Sequence, residues 1–509
     1  MKPTFKLLTA LMLAPLGPLQ AADASSKATA PDQPRTFCNP LPIPNYPVGL
    51  HARKVTKGQP DTAMLWILGH QEQFRELGDP TALWHEGKWY LYPSVDMAWV
   101  SEDNGATWQH HPLNVRDLGY SPTVVRHRGR FLLAANGPAV YASSSPLGPI
   151  EKIGDFSVPP SYKVADKMLF SDDDGRLYLY FGCSAAGGIW GMELDAADPA
   201  KALSEPIELI TFNPRERLWE AHGEWNQNPN KSWIEGSWML KRHGRYYLTY
   251  TAAGTEFRTY AMGCFVGSSP LGPFTPQKRN PILRTTDGLV TGSGAGSIVA
   301  GPDDQLWAFY TIRAGVVHIF ERRIGMDRAE IDANGELVVH GATSLPQWLP
   351  GKMPSDTKSA DSGWLPVNGF MHTIGSTNAP NLQGRFAVDN EMRTWWQPAE
   401  GDTQPTLNST FAAPASIHAV RLIWRDIGLD TKHDVQPGPF RYRVELETAK
   451  DQWTTILDRS ESTEDLLIDY RECKPTTGTR ARLVILGSPK GITPGVAEFT
   501  VFGKTVVTK

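Results

Sequence analysis

The stretch Ser232–Tyr250, SWIEGSWMLKRHGRYYLTY, predicts a tight β-hairpin. A first strand runs over Ile234–Lys241, a turn falls at His243–Gly244, and an aromatic strand follows from Arg245. One carboxylate, Glu235, lies at the start of the first strand among apolar neighbours. Because the rest of the chain contains further copies of this hairpin, this stretch decides the fold.

The turn and the aromatic strand of this hairpin recur four more times. The copies begin at Gly87 (GKWYLY), Gly129 (GRFLL), Gly175 (GRLYLY) and, in degenerate form, Asp304 (DQLWAFY). With Gly244 included, the turns are separated by 42, 46, 69 and 60 residues, which fits one four-stranded sheet per repeat with loops of variable length. The sequence therefore predicts an all-β chain that begins with a five-bladed β-propeller.

One column of residues is found by counting eight or nine positions back from each turn. It contains Asp79, Ser121, Asp166, Glu235 and Ala295. If the innermost strand of each blade starts there, all five side chains point at the mouth of one central funnel. Burying unpaired carboxylates is costly, so three of them in one apolar column indicate a functional site. The alternative is that each acid caps its own turn.

Converging carboxylates suit the cleavage of a glycosidic bond. One carboxyl group protonates the leaving oxygen, and another activates water or attacks the sugar directly. The acid must keep its proton near neutral pH, so burial or a neighbouring negative charge has to raise its pKa. Asp79, Asp166 and Glu235 fit the roles of base, pKa modulator and acid. Glu235 follows Trp233 and Ile234, the most apolar local setting, and is therefore the predicted acid.

Length and composition bound the class of protein. A chain of 509 residues with 40% hydrophobic and 20% charged residues indicates a packed globular protein of more than one domain. The net charge of −4 without a basic patch argues against a nucleic-acid partner. Residues 1–21 read as a secretory signal peptide whose apolar run is too short to span a bilayer. We expect a secreted or periplasmic monomer with no membrane span.

The remaining chain divides by composition. Residues 22–35 are predicted to be a disordered spacer, 36–348 the propeller, 349–366 a linker and 367–509 a β-sandwich. The sandwich is predicted from strand-like runs at 417–424, 440–446, 453–457, 481–485 and 497–502. The proline-rich run from Phe37 to Gly49 is expected to cross the surface before the ring closes. The four cysteines lack metal-ligand spacing, and mostly free, buried thiols are expected.

A long polar and aromatic connection, Thr211–Lys231, predicts a pocket wall. Two of its residues, Glu220 and His222, are candidate substrate contacts. Further candidates are Trp233, which precedes the predicted acid, the later loop residues Arg258, His318 and Arg322, and the early loop residues His51 and Arg53. For the loop residues the alternative is a solvated surface position.

The carboxylate motifs on five blades resemble those of glycoside hydrolase family 43. They are Asp79–Pro80, Asp166 ahead of Ser171–Gly175, and Glu235–Gly236, and the resemblance covers roughly residues 36–348. It implies an inverting, exo-acting glycosidase that releases arabinofuranosyl, xylosyl or galactofuranosyl and galactosyl residues from a polysaccharide. It also implies Asp79 as general base, Asp166 as pKa modulator and Glu235 as general acid.

The resemblance also bears on metals. Many members of the family hold a central metal or water with a histidine near the position of Ala295, and Gly294–Ala295–Gly296 has none. We therefore expect no required cofactor, and a structural calcium stays an open alternative.

Two other functions are compatible with the predicted five-bladed propeller. A catalytically inactive propeller would bind carbohydrate without cleaving it. A fructan-type retaining hydrolase pairs its first aspartate with Asn-Asp-Pro and its acid with Glu-Cys, which Gly78–Asp79–Pro80 and Glu235–Gly236 fit poorly. A sialidase would need several Asp-box turns, and only Ser101–Trp108 matches that structural motif.

The C-terminal part carries a resemblance of its own. The stretches Arg385–Trp396 and Val496–Gly503 resemble the discoidin, or coagulation-factor type C, domain over about residues 367–505. The resemblance implies a jelly-roll sandwich that often binds carbohydrate in secreted hydrolases, sometimes with a structural calcium. Trp395 and Trp396 are expected in its core.

Overall fold

The computed structural model describes residues 35–48, 72–94, 96–115, 118–162, 164–185, 187–231, 233–357 and 359–506. The predicted signal peptide, the predicted spacer apart from Arg35, and the candidates His51 and Arg53 lie outside these ranges. Within them the chain is all-β without an α-helix. Its 3-10 helices are Leu218–Glu220, Pro302–Asp304, Gly384–Ala387 and Thr431–His433.

After a short strand β1 (Thr36–Phe37), five four-stranded antiparallel sheets follow one another, each built from consecutive strands. The first two are β2 (Thr81–His85), β3 (Lys88–Tyr92), β4 (Met97–Ser101), β5 (Gln109–Pro112) and β6 (Thr123–His127), β7 (Arg130–Ala134), β8 (Ala139–Ser143), β9 (Glu151–Asp155). The third and fourth are β10 (Met168–Ser171), β11 (Leu177–Phe181), β12 (Ile189–Leu194), β13 (Ile207–Ile210) and β14 (Glu235–Arg242), β15 (Arg245–Ala252), β16 (Ala261–Gly267), β17 (Phe274–Pro276). The fifth is β18 (Gly294–Ala300), β19 (Leu306–Arg313), β20 (Arg322–Ile331), β21 (Leu337–Val339).

The first strands of the five sheets form the inner ring of a propeller. Each of β2, β6, β10, β14 and β18 contacts the next, and β18 contacts β2 to close the ring. The predicted five-bladed propeller is therefore confirmed, with the first strand of each repeat innermost.

The predicted turns explain why each repeat folds as a hairpin. Gly87, Gly129, Gly175 and Gly244 have φ of +76°, +81°, +83° and +72°, a left-handed conformation that favours glycine. In the first, second and fourth blades the preceding residue is left-handed as well, which is the geometry of a tight hairpin turn. The opening stretch behaves as predicted, because β14 and β15 pair on either side of its turn.

The Asp-box match is a structural turn between β4 and β5, as predicted. The Asp103 carboxylate accepts hydrogen bonds from the Ser101 hydroxyl at 2.8 Å and from the backbone N–H and hydroxyl of Thr107 at 2.9 and 2.6 Å. Trp108 is buried beneath the turn. The motif therefore fixes the outer edge of the first blade and lies away from the funnel.

The N-terminal segment does not run over the surface, and that expectation is wrong. Residues 36–43 are all buried. The Leu41 N–H donates to the Ile324 carbonyl of the last blade at 2.9 Å, and Trp99 Nε1 of the first blade donates to the Pro44 carbonyl at 2.7 Å. Its prolines carry no N–H group, so fewer backbone donors need partners when the segment is buried. The segment joins the first blade to the last.

The C-terminal part forms one seven-stranded antiparallel sheet that is consistent with the predicted β-sandwich. After β22 (Gln347–Trp348), which pairs with β1, its strands are β23 (Leu365–Pro366), β24 (Asn368–Gly375), β25 (Thr406–Ile427), β26 (Arg441–Ala449), β27 (Gln452–Asp458), β28 (Ile468–Gly487) and β29 (Thr493–Thr505). Bulges interrupt the pairing of the two longest strands, β25 and β28, where such irregularities bend a sheet. Every predicted run falls in a strand apart from Phe440, one residue before β26. Trp396 is fully buried and Trp395 partly buried.

The sandwich is tied to the propeller by buried arginines. Arg75 binds the carboxylates of Asp426 and Asp465, with contacts of 2.6 to 2.7 Å. The predicted linker, described apart from residue 358, ends as β23 on the edge of the sandwich sheet. The described residues consequently form one compact unit.

Two expectations about the whole chain can be compared with the structure. Cys38, Cys264 and Cys473 are free thiols, the first two buried and the third partly buried, and Cys183 is partly buried. Among the described residues no helix combines the length and the hydropathy that crossing a bilayer requires.

Candidate active site

A cavity of about 300 Å³ lies where the inner strands of the propeller begin. Four of the predicted site residues line it: Asp79, Asp166, Trp233 and Glu235. Arg322, a weaker candidate, lines it too. The other lining residues are Tyr120, Asn136, Cys183, Thr255, Glu256, Ile319 and Phe320. The three predicted catalytic carboxylates therefore converge on one cavity, although they are far apart in sequence.

A shared backbone conformation brings these side chains to the cavity. Asp79, Ser121 and Asp166 each have φ near +50° two residues before an inner strand. In the fourth blade the left-handed residue is Gly236, at +60°, so the residue equivalent to the other three is Gly236 and Glu235 precedes it by one position. The longer side chain of glutamate still reaches the same cavity.

A residue with a side chain could not replace Gly236 without a steric clash. A Cβ atom added there would lie 3.1 Å from the Cβ of Ala295 and 2.8 Å from Thr251 Oγ1, in addition to the positive φ. Its backbone N–H donates to Asp166 Oδ2 at 3.3 Å, which connects the third and fourth blades beside the acids. The small residues of the fifth blade thus leave room for this close approach.

Asp79 is held at both oxygens. Arg322 donates to Asp79 Oδ1 at 2.8 Å, and the Ser94 hydroxyl donates to Oδ2 at 2.6 Å. The same guanidinium donates to Glu76 Oε1 at 2.7 Å, and Tyr120 donates to Glu76 Oε2 at 3.1 Å. Burial raises the pKa of Glu76 to about 7 despite the nearby arginine. Arg322 therefore aligns two carboxylates in a buried network, and only Asp79 faces the cavity.

Glu235 is buried, and three donors surround its carboxyl group. Trp233 Nε1 donates to Oε2 at 2.6 Å, Cys183 Sγ lies 3.3 Å from the same oxygen, and the Tyr260 hydroxyl donates to Oε1 at 2.7 Å. Burial raises the pKa of Glu235, the hydrogen bond from Tyr260 opposes that rise, and the charge of Asp79 adds to it. The environment therefore favours a group that keeps its proton above the ordinary range of a glutamate.

Asp166 forms a coupled pair with Glu235. The Asp166 N–H donates to Asn136 Oδ1 at 2.6 Å, and Asn136 Nδ2 donates back to the carboxylate at 3.3 Å. Burial raises the pKa of Asp166 well above its usual range, and the charges of Glu235 and Asp79 raise it further. The carboxyl oxygens of Asp166 and Glu235 lie within 4.8 Å of each other, and two buried carboxyl groups at that distance disfavour double ionisation.

Two groups of residues near the inner strands offer donor atoms to a metal ion. The ligand atoms of Asp166, Cys183 and Glu235 lie within 4.8 Å of one another, and because the pKa values of both carboxyl groups are raised, a metal ion there would compete with bound protons. A second cavity of about 20 Å³ is lined by the starts of all five inner strands, and Asp79 is the single carboxylate in its lining. Calcium takes six to eight oxygen ligands, of which this carboxylate supplies at most two.

The structure places Glu220 away from the cavity, which corrects the expectation of a substrate contact. Its side chain is fully buried and accepts hydrogen bonds from Arg217, Tyr250 and the backbone N–H of Asn213. Glu220 therefore anchors the long connection onto the fourth blade.

The other loop candidates lie around the cavity without lining it. His222 Nε2 is 3.6 Å from the carboxylate of Glu256, which does line it, and burial lowers the pKa of His222. Arg258 pairs with acidic residues at the surface. His318 is buried, its ring stacked on Phe74 at 4.6 Å.

Several residues around the acids were missed by sequence reasoning, and three of them follow a rule. Ser94, Asn136 and Cys183 stand seven or eight residues after the turn glycines of the first three blades. That position is just past the second strand of each blade, and each of these side chains contacts one of the three acids. Counting forward from the turns would have found them. Tyr260 and Glu256, on a longer loop, follow no such rule.

The comparison with protein families agrees with this geometry. The model of glycosyl hydrolases family 43 matches residues 70–337, which is more than half of the chain and includes all three carboxylates. The chain belongs to glycosyl hydrolase family 43. This family 43 protein is accordingly a glycosidase that acts on carbohydrate. The match ends before the sandwich, so the discoidin resemblance stays a prediction.

Relatives of this family 43 enzyme have related activities in their names. It is 26% identical over 269 residues to the beta-D-galactofuranosidase xynD of Aspergillus niger, with 45% of this chain and 71% of that protein covered. It is 27% identical over 261 residues to a beta-xylosidase of Xylanibacter ruminicola, with 40% and 78% covered. It is 26% identical over 330 residues to the xylosidase/arabinosidase 43A of Humicola insolens, with 51% and 95% covered.

Proposed function

We propose that this glycosidase is an exo-acting, inverting enzyme that removes one terminal arabinofuranosyl, xylosyl or galactofuranosyl residue from a polysaccharide. The convergence of three carboxylates on one cavity carries the proposal. At about 300 Å³ the cavity is at the small end of ligand pockets, which suits a single sugar residue. The names of the relatives support these three sugars.

Each carboxylate has a role that follows from its surroundings. Glu235 gives its proton to the glycosidic oxygen as the bond to the anomeric carbon breaks. Asp166 is the pKa modulator: it lines the same cavity as Glu235, and a neighbouring carboxylate disfavours ionisation of the acid. Asp79 takes a proton from the water that attacks the opposite face of the sugar, so the configuration inverts. Arg322 and Ser94 hold the Asp79 carboxylate in place for that step.

The test is turnover of nitrophenyl arabinofuranoside, xyloside and galactofuranoside by the wild type and by Glu235→Gln and Asp79→Asn. At least one substrate should be cleaved, and Asp79→Asn should lower kcat on it by ~10²–10⁴-fold. Glu235→Gln should cause a loss of that size on the corresponding disaccharide, whose leaving group needs the proton. Glu102→Gln, an exposed acid on the Asp-box turn, is the matched control and should keep full activity. Wild-type protein that cleaves nothing but is retained by glycan would instead be a carbohydrate-binding propeller.

The stereochemical part has its own readout. Proton NMR of the first product formed should show the anomer opposite to that of the substrate. A product of unchanged configuration would refute inversion and favour a retaining, fructan-type mechanism.

The setting of the enzyme is also part of the proposal. We infer secretion or a periplasmic location, a monomer, a glycan-binding role for the sandwich, and catalysis without a required metal. N-terminal sequencing of the exported protein should begin near residue 22. Light scattering should give the mass of one chain, and EDTA should leave kcat unchanged, since Asp79 is the single carboxylate in the lining of the central cavity.

A further inference from the structure

Two loops lie at the end of the propeller that holds the acids. The connection 211–231 leads into β14, whose first residue is Glu235. The loop 253–260 leaves β15 beside Thr251, the residue that pairs with Glu235. Both loops therefore emerge at the end of the propeller that holds the acids, and Thr255 and Glu256 of the second loop line the cavity.

The first of these loops presents an exposed tryptophan. Trp225 is 70% exposed, whereas every other tryptophan of the described residues is buried or partly buried. Its backbone N–H donates to Gln227 Oε1 at 2.9 Å, so the loop is folded on itself at this point. A large aromatic surface left in water next to an active site indicates a contact with a ligand.

The tryptophan is supported from one side only. The Arg258 guanidinium lies 5.1 Å from its ring centroid. Arg258 is fixed in turn by Glu224 at 3.6 Å and Asp287 at 3.4 Å, and Glu224 is paired with Arg313 at 2.8 Å. This chain of ion pairs holds one face of the indole, and its exposure leaves the opposite face open.

The loop that carries Trp225 packs against the loop that lines the cavity. Arg258, which backs Trp225, is two residues along the chain from Glu256, which lines the cavity. Consecutive Cα atoms are about 3.8 Å apart, so these two backbones lie within about 7.6 Å of each other. Phe257, between them, packs edge-on against His222 with ring centroids 4.5 Å apart, which joins the two loops. This packing between the two loops places Trp225 on the Glu256 side of the cavity.

We propose that Trp225 is the stacking platform for the sugar residue on the leaving-group side of the scissile bond. Rings of pyranose sugars carry C–H groups on their faces, and these pack on an open aromatic face. Glu256, at the cavity edge, accepts hydrogen bonds from hydroxyl groups near the same bond. This inference rests on the proposed exo-glycosidase function and adds the subsite that recognises the polymer.

The experiment compares two substrates that differ on the leaving-group side. One is a trisaccharide, xylotriose or α-1,5-linked arabinotriose, and the other is the matching xylosyl or arabinofuranosyl fluoride, whose single fluorine atom cannot stack. Trp225→Ala should lower kcat/KM for the trisaccharide by about tenfold or more. The loss on the fluoride should be at least about fivefold smaller, because no stacking contact is removed there. Trp225→Phe should restore most of the trisaccharide rate.

The matched control is Leu218→Ala, which removes another exposed apolar side chain, 62% exposed, from the same connection. It should leave both rates within about twofold of wild type, as expected for a surface substitution. Equal losses on both substrates in Trp225→Ala, or none on the trisaccharide, would overturn the proposal.

A binding measurement separates this inference from the proposed catalysis. In the Glu235→Gln background, migration through a gel containing arabinoxylan or arabinan should be retarded, and adding Trp225→Ala should relieve that retardation. If the wild type cleaved no glycoside, the proposed function would fail, but the gel would still decide whether Trp225 binds glycan. Because the sandwich can retard both variants on the same glycan, the readout is the difference between them, and identical migration together with an unchanged trisaccharide rate would refute the platform.

Discussion

Replacing Glu235 by glutamine removes the proposed catalytic proton and can preserve the hydrogen bonds around it. Trp233 Nε1 can only donate, so the amide oxygen takes the position 2.6 Å from it. The amide nitrogen then faces the Tyr260 hydroxyl, which can accept by turning its own proton towards Thr251 Oγ1 at 2.9 Å. The variant should therefore fold with a Tm close to that of the wild type.

The size of the effect depends on the leaving group. For a sugar or alcohol leaving group, which needs the proton, kcat should fall by ~10²–10⁴-fold, or about 2.7–5.4 kcal/mol in the activation free energy. For dinitrophenolate or fluoride, which leave with little help, we expect a loss below about tenfold. Removing the charge of Glu235 also lowers the pKa of Asp166, because that charge is the largest contribution after burial.

The assay is a series of aryl glycosides whose phenols span a wide range of pKa. The logarithm of kcat plotted against that pKa should be steeper for Glu235→Gln than for the wild type. Equal losses across the series would refute Glu235 as the acid, since a missing proton must matter most to the poorest leaving group. A variant with unchanged kcat on every substrate would refute it as well.

Three further predictions concern protonation and stability. Tyr260→Phe removes a donor that lowers the pKa of Glu235, so the alkaline limb of the kcat/KM profile should move to higher pH, and an unmoved limb would contradict this. Arg322→Met leaves two buried carboxylates without their cation, so the free energy of unfolding measured in urea should fall by about 3–5 kcal/mol. A fall of less than about 1 kcal/mol would show that this network does not stabilise the fold. Burial raises the pKa of Glu498 from 4.5 to about 7, so the folded chain binds more protons than the unfolded chain in that window, and stability falls as pH rises through it. The Tm should be lower at pH 8 than at pH 5, and Glu498→Gln should make the dependence of Tm on pH less steep. If the substitution leaves that dependence unchanged, groups other than Glu498 cause it.

The propeller could be predicted from the sequence because each repeated hairpin is formed by residues that are close together in the chain. Each hairpin places its turn glycine and its aromatic strand within a few residues, and the left-handed glycines mark every blade except the last. The catalytic carboxylates could be found from the same turns, because each lies eight or nine residues before one of them. The register was off by one at Gly236, since a bulge between Glu235 and Trp238 adds a residue to the strand.

The contacts around the acids could not be predicted in the same way. Tyr260 reaches Glu235 from the loop after β15, and Arg322 reaches Asp79 from the start of β20, so the direction of both side chains depends on how the strands and blades pack. Glu220 was expected to contact substrate because the long polar and aromatic connection that carries it predicts a pocket wall. Here Arg217 and Tyr250 bury it instead, at positions that no local pattern reveals.

The buried N-terminal segment has a consequence for engineering. Thr36 contacts Glu472 and Tyr470 of the sandwich at 2.7 Å, and Arg421 of the sandwich donates to the Asn39 carbonyl at 2.8 Å. The N-terminal segment therefore joins the first blade to the last, and the sandwich covers the same segment from the other side. Neither module can be excised at the covalent junction between them without breaking these contacts. A chimera that exchanges sandwiches would have to carry its own opening strand along with its new partner.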